Sequence, residues 1–304
     1  MDDPVVSRYA RLRDEELKST TATGGIGGTW SSLGAVFAHR QLLGLLVRRD
    51  IKARYKDSVL GLLWTLINPI IQLIIYYLVM GKILGAARGI DDFAIYVFAG
   101  LTIYGLFSET LGGTTASIVA NAGLVKKVYV PREVFPVAAT GSALFTFGVQ
   151  ALVLFVACFV LATPPLTPNL LYALPSIAIV VVYALALGLL FSALNVYLRD
   201  IQYLTQILLM LSLWASPIVY GWPMVATVIK DQGLPSWLLD VYTANPLTLA
   251  VLGFHRAFWM SGTAQDFPAD LLARMGVALL VGIALVWVCQ RAFSRLQGNF
   301  AQEL

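Results

Sequence analysis

The stretch VFPVAATGSALFTFGVQALVLFVACFVLATPPLTPNLLYALPSIAIVVVYALALGLLFSALNVYL, Val134 to Leu198, contains no Asp, Glu, Lys, Arg or His. A hydrocarbon layer about 30 Å thick is crossed by roughly 20 apolar residues of helix at about 1.5 Å each. A run of 65 residues is therefore too long for one crossing and long enough for two. Thr163-Pro-Pro-Leu-Thr-Pro-Asn169 supplies the break, because proline removes a helical donor and clashes with the preceding turn. This reading places helices at about 134–162 and 170–198, and with them an all-α membrane protein.

The same criterion applied outward from that pair gives four more spans, at about 58–81, 93–120, 201–219 and 271–290. Ser216-Pro217 and Gly221-Trp222-Pro223 end the fifth, and Arg274 lies near enough to one end of the sixth to snorkel. Between these two spans, Tyr220 to Asp270 has apolar pieces such as Leu247 to Phe258 that are too short to cross, so interfacial or re-entrant outer helices fit it. Composition agrees with lipid as the solvent. Hydrophobic residues make up 58% and charged residues 12%, against about a quarter charged in soluble domains.

The net charge of +4 could suggest nucleic acid, but the positions of the Lys and Arg argue for a membrane instead. With the N-terminus inside, twelve basic residues fall on the inner segments and five on the outer ones. The excess puts both termini in the cytoplasm of a multi-pass plasma (inner) membrane protein. Residues 1–32, with Asp2, Asp3, Asp14, Glu15, Glu16 and a Gly/Thr-rich end, lack the apolar core of a secretory signal and read as a mobile cytoplasmic tail ahead of a transmembrane domain at 33–304. Cys158 and Cys289 lie inside apolar runs and make a disulfide or zinc framework a poor reading.

Three segments carry functional information. Before the first span, Leu43, Val47, Ile51 and Tyr55 fall at four-residue steps beside Arg48, Lys52 and Lys56, the pattern of an amphipathic helix lying on the membrane. The density of charge at Arg48, Arg49, Asp50, Lys52, Arg54 and Lys56 suits a lipid diphosphate, since guanidinium groups pair with phosphate oxygens. The bland alternative is an orientation signal. In the first span Trp64, Asn68, Gln72 and Tyr76 make a polar and aromatic stripe, and Tyr104, Phe107, Glu109, Gln202 and Gln206 add to it from the second and fifth. Aromatic rings with few fixed charges suit a sliding sugar chain; helix-to-helix hydrogen bonding explains the same stripe equally well. Glu109 is a candidate by location, with a neutral carboxyl or a bond to Thr110 or Thr114 as the alternative. The loop NAGLVKKVYVPREVFP (Asn121 to Pro136) reads as a short basic knob stopped by Pro131, or as an ordinary inside-positive loop.

No GxxxxGK[ST] occurs in the sequence, so any ATPase has to be another polypeptide. Nor is there a His/Asp/Glu cluster at metal-ligand or acid/base spacing, and His39 and His255 fall on opposite sides in this topology.

RRDIKARYKDSVLGLLWTLINP (Arg48 to Pro69), LVKKVYVPREVFP (Leu124 to Pro136), LNVYLRDIQYL (Leu194 to Leu204), ASPIVY (Ala215 to Tyr220), ANPLT (Ala244 to Thr248) and FSRLQGNFAQEL (Phe293 to Leu304) resemble, in order, the ABC-2 type permeases that export O-antigen, teichoic acid and related polysaccharides. The resemblance runs from about Gln41 to the end, and among subfamilies the chain looks most like the mycobacterial-type exporter of cell-wall galactan. It implies a homodimer working with two copies of a separate ABC ATPase that binds ATP and Mg, while this chain carries no cofactor and breaks no covalent bond. The implied cargo is a polymer on a polyprenyl diphosphate. By position, Arg48, Arg49, Asp50, Arg54 and Tyr55 would meet the lipid headgroup. Lys126, Lys127, Tyr129, Pro131, Arg132 and Glu133 would belong to the ATPase coupling element, with Arg199 and Asp200 as a second contact. Rival readings are a drug or small-molecule exporter of the same superfamily and a membrane enzyme acting on polyprenyl-linked sugars.

Overall fold

A computed structural model describes residue 34 and residues 38–56, 63–83, 90–127 and 130–304. The N-terminal tail, the expected start of the first span at 58–62 and most of the loop that follows that span lie outside the described residues. Every regular element among the described residues is helical. In chain order these are α1 (Arg40–Tyr55), α2 (Leu63–Ile75), α3 (Phe93–Ala120), α4 (Ala122–Lys127), α5 (Val134–Val160), α6 (Ala173–Tyr197), α7 (Ile201–Trp214), α8 (Trp222–Asp231), α9 (Trp237–Ala244), α10 (Pro246–Phe258), α11 (Leu271–Leu296) and α12 (Phe300–Glu303).

Among the described residues, four helices are long and apolar enough to cross a membrane: α3, α5, α6 with the 3-10 turn before it, and α11. One element expected as a full span is shorter. Helix α7 stops at Trp214 after 14 residues, about 21 Å of rise, because Ser216-Pro217 cannot continue it. Helix α2 carries Pro69 inside it and continues as wider π-type turns over Tyr76–Ile83, so helical structure runs through the described part of the expected first span. The last helix is longer than expected. It runs past Gln290 through Arg291 and Arg295 to Leu296, and Arg291 lays its guanidinium over the Trp287 ring at 5.7 Å, which keeps the charge compatible with a continuing helix.

Helix α3 is the central post. It packs on α5, α6, α10 and α7, and its hydroxyls are satisfied internally: Thr102 donates to the Phe98 carbonyl, Thr115 to Leu111 and Ser117 to Thr114. That bonding is what an apolar surrounding demands. Helix α10 lies in the stretch read as interfacial or re-entrant. It is buried along nearly its whole length, from Leu247 to Phe258, against α3 and α6. Asn245 caps it by accepting from the Leu247 amide, and Pro246 occupies its first turn.

The buried side chains form two clusters. One, around Ile95, Ile103, Leu154, Ile179 and Phe254, fills the middle and one end. The other, around Leu46, Ile118, Phe135, Val196, Phe293 and Phe300, fills the end that also carries α1, α4 and the α6–α7 turn, referred to below as the basic end.

Contact between α3 and α6 depends on Gly188, where a Cβ would lie 1.9 Å from Thr114 Oγ1. Gly188→Ala should therefore force the helices apart at a cost of about 1–3 kcal/mol, read as a lower melting temperature in detergent. Gly276→Ala, with nothing within 4 Å of the added carbon, should leave it unchanged or raise it.

Candidate functional site at the basic end

Helix α1 lies against α5 with Leu46 buried and Leu42, Leu43 and Val47 half-buried. Ile51 is half-buried too, so Leu43, Val47 and Ile51 of the Leu43–Val47–Ile51–Tyr55 row are sheltered, with Leu46 beside them buried deepest. Close approach is possible because Gly141 of α5 has no side chain where Val47 Cγ2 would be 2.9 Å away. The outward side presents Arg48, Lys52 and Lys56 to solvent, as the spacing indicates.

Two guanidinium groups on α1 turn the other way, toward α3. Arg49 donates from Nε and Nη2 to Asp50 Oδ1 at 2.9 and 2.7 Å and from Nη2 to Asn121 Oδ1 at 2.8 Å. Asn121 closes the C-terminus of α3 and donates to the Ser117 carbonyl, so Arg49 sits where the helix dipole favours a cation. One turn further along α1, Arg54 Nη1 meets Glu109 Oε2 at 3.2 Å and donates to Thr146 Oγ1 at 2.8 Å. A single side chain thus ties α1 to α3 and α5. Between these groups lies a cleft of about 260 Å³, lined by Arg49, Asp50, Arg54, Glu109, Asn121 and Ser142 among others.

Exposed ion pairs of this kind contribute at most about 1 kcal/mol each, so the cleft's charges orient α1 more than they stabilise it. Its walls carry two guanidiniums and two carboxylates, Asp50 and Glu109, with Arg48 and Lys52 outside, and each inward guanidinium is already paired with one of the acids. No metal-binding group of His, Cys, Asp and Glu occurs among the described residues. Glu109 pairs with Arg54 and not with Thr110 or Thr114; Thr114 bonds the Thr110 and Leu111 carbonyls of its own helix instead.

The remaining expected residues separate into three groups. Trp64, Asn68 and Gln72 of α2 and Gln202 and Gln206 of α7 lie exposed on the chain surface, with Tyr76 half-buried. Tyr104 and Phe107 do not lie on such a face. The Tyr104 hydroxyl donates to the Leu209 carbonyl at 2.8 Å, and Phe107 is 6% exposed within the core, because α3 is surrounded by helices. At the basic end, Lys126, Lys127, Arg199 and Asp200 are exposed, Pro131 is half-buried and Glu133 is buried; Tyr129 lies outside the described residues, as does any account of the Tyr55 side chain. Arg132 places its guanidinium 5.5 Å from the Phe300 ring centre. Phe300, fully buried beside Phe293 and Tyr197, connects the C-terminus to this segment. Sequence reading missed Thr146, Asn121 and Phe300 as partners; only Asn121, an amide just beyond an apolar span, carried a local signal.

A family profile described as ABC-2 type transporter matches residues 41–259. The chain belongs to the ABC-2 type transporter family. This ABC-2 permease is also similar to proteins named O-antigen export system permease protein RfbA. The one from Klebsiella pneumoniae is 29% identical over 277 residues, covering 90% of this chain and 97% of that protein. The one from Myxococcus xanthus is 28% identical over 269 residues, covering 88% and 97%.

Loss of the Arg54 clamp should loosen α1 without unfolding the bundle. Glu109→Ala is expected to speed backbone hydrogen exchange across residues 50–56 several-fold, with Glu109→Gln intermediate because it keeps a neutral acceptor. Equal protection in Glu109→Ala and wild-type protein would show that the pair holds nothing.

Proposed function

We propose that this chain is the membrane permease of an ATP-driven exporter whose cargo is a polysaccharide carried on a polyprenyl diphosphate, galactan being one candidate. The observation that carries the reading is the near full-length match to O-antigen export permeases, together with an arginine-walled cleft at the basic end. Guanidinium groups bind diphosphate oxygens in pairs. In this reading the lipid headgroup meets Arg48, Arg49, Lys52 and Arg54, and competes with Asp50 and Glu109 for the inward pair.

The basic end faces the cytoplasm, following the distribution of Lys and Arg, and a separate ATPase docks there on Lys126, Lys127, Arg199 and Asp200. ATP-driven closure of two ATPase subunits, with ATP and Mg held by them, shifts this surface. Arg132 and Glu133 lead into α5, which also carries Thr146, so motion there reaches Arg54 and α1.

Two copies of the chain would enclose the path. Asn68 and Gln72 on α2, and Gln202 and Gln206 on α7, stand among exposed Ile70, Ile71, Ile74, Ile207 and Leu211. Lipid disfavours such amides, so these faces meet water or a second copy, and the four amides with Trp64 and Tyr76 line the path. Helices α2 and α7 then act as the first and fifth of six crossings.

Co-expression with a candidate ATPase tests this. The wild-type permease should bring the ATPase through purification, the Lys126→Glu/Lys127→Glu double variant should lose it at least about tenfold, and depletion of the permease should leave lipid-linked polymer on the cytoplasmic leaflet. Unchanged polymer export after depletion would remove the cargo assignment, and altered drug resistance in its place would make the cargo a small molecule.

A further inference from the structure

Many of the large apolar side chains that lie exposed belong to helices with long apolar outer faces, such as Ile71 of α2, Val156 of α5, Trp214 of α7 and Val281 of α11. Two do not fit that pattern. Leu124 of α4 is 39% exposed and Leu198, just past the end of α6, is 60% exposed, and both stand at the basic end among charges. Lys126 and Lys127 follow the first, Arg199 and Asp200 the second, and all four are exposed. A single exposed leucine is ordinary. Beyond the spans, however, no hydrocarbon covers these two, and apolar surface rimmed by charge is where protein partners dock.

The two leucines share an anchor. Helix α4 has six residues, too few to hold a helix in place unaided, and its buried side chain is Val125, next to Leu124. Val125 packs into the cluster that contains Phe293 and Phe300, and Tyr197, next to Leu198, packs against the same cluster. The Tyr197 hydroxyl also donates to the Leu296 carbonyl at 2.6 Å. Helix α12, which begins at Phe300, touches both α4 and α6. Each leucine is the immediate chain neighbour of a residue fixed in that cluster, so the cluster sets the spacing between them.

We infer that Leu124 and Leu198 are the two anchors of a single docking surface, and that Phe300 is the positioning residue that keeps them in register. The partner this surface fits is a soluble protein with two apolar sockets rimmed by carboxylates, since Lys126, Lys127 and Arg199 stand beside the leucines. The inference rests on the exporter reading, which makes that partner the ATPase, and it goes further in two respects. The cations steer the encounter and set its salt dependence, whereas the leucines, once covered, hold the complex together. The two contacts also act as one, because a close-packed core transmits a push on either to the other.

Full-length permease in nanodiscs, titrated with the candidate ATPase, tests this. Leu124→Ser and Leu198→Ser should each weaken association at least about tenfold and leave its salt dependence unchanged, while Lys126→Glu/Lys127→Glu alters that dependence. Phe300→Ala should weaken association as far although both leucines remain, and Phe300→Leu should recover most of the loss by refilling the space. Phe254→Ala, an equal truncation in the cluster toward the opposite end, controls for general destabilisation and should bind as wild type; melting temperatures establish that every variant folds. Exposure is read separately. Cys158 and Cys289 are buried, so Leu124→Cys and Leu198→Cys should react with a membrane-impermeant maleimide in the permease alone and be protected when ATPase is bound. Wild-type affinity in either leucine variant, or no protection of either cysteine, overturns the pair of anchors. A loss in Phe254→Ala equal to that in Phe300→Ala overturns the positioning role. If the wild type captures the ATPase and both leucine variants do so equally well, the anchors fall and the exporter reading stands. A wild type that binds no ATPase, and whose depletion leaves polymer export unchanged, removes both.

Discussion

Everything in this molecule is referred to the seam between α3 and α6, where the absence of a side chain at Gly188 lets Thr114 fill the space. Without a hydrophobic drive between helices in lipid, association rests on close backbone approach and on polar groups finding partners inside the protein. The seam supplies both. Asn195 of α6 donates across it to the Thr115 carbonyl, and the threonines of α3 bond their own helix. Because α3 is fixed there, its two ends become reference points: Tyr96 and Gly100 at one, Glu109 and Asn121 at the other.

Two kinds of surface follow from that fixed post. At the basic end, α1 is attached through side chains with charged heads, of which Arg54 and Glu109 are only partly buried. Such contacts are weak enough to exchange partners. At the opposite end α10 is inserted into the core and offers little room to move, since Gly253 already lies where an added carbon would come within 2.5 Å of Met275 and Ser176. The two ends of α3 are therefore held differently, by exchangeable charged contacts at one and by close core packing at the other.

Much of this was legible in the chain. The uncharged run Val134 to Leu198 contains α5 and α6, and the prolines at 164, 165 and 168 lie between them. The charged helix before the first span is where its spacing puts it. What the sequence could not convey is long-range partnership. Glu109 reads as an isolated acid in a span because Arg54 lies 55 positions away. Tyr104 and Phe107 look like pore aromatics because a helix buried on all sides has no polar face to orient it, and periodicity then carries no information. His255 meets Tyr96 from α10, a piece read only as interfacial or re-entrant. Helix ends were hidden for a different reason: hydropathy marks where a helix leaves lipid, whereas α11 runs on past Gln290 through Arg291 to Leu296.

The ring of Phe300 is fully buried and completes the core beneath Arg132. It meets Phe293 of α11 at 5.6 Å and Tyr197 of α6 at 6.1 Å between ring centres. One aromatic side chain beyond α11 therefore joins the ends of α6 and α11 to the segment that leads into α5. In a close-packed interior a shift of any one of these helix ends displaces a ring that the other two share.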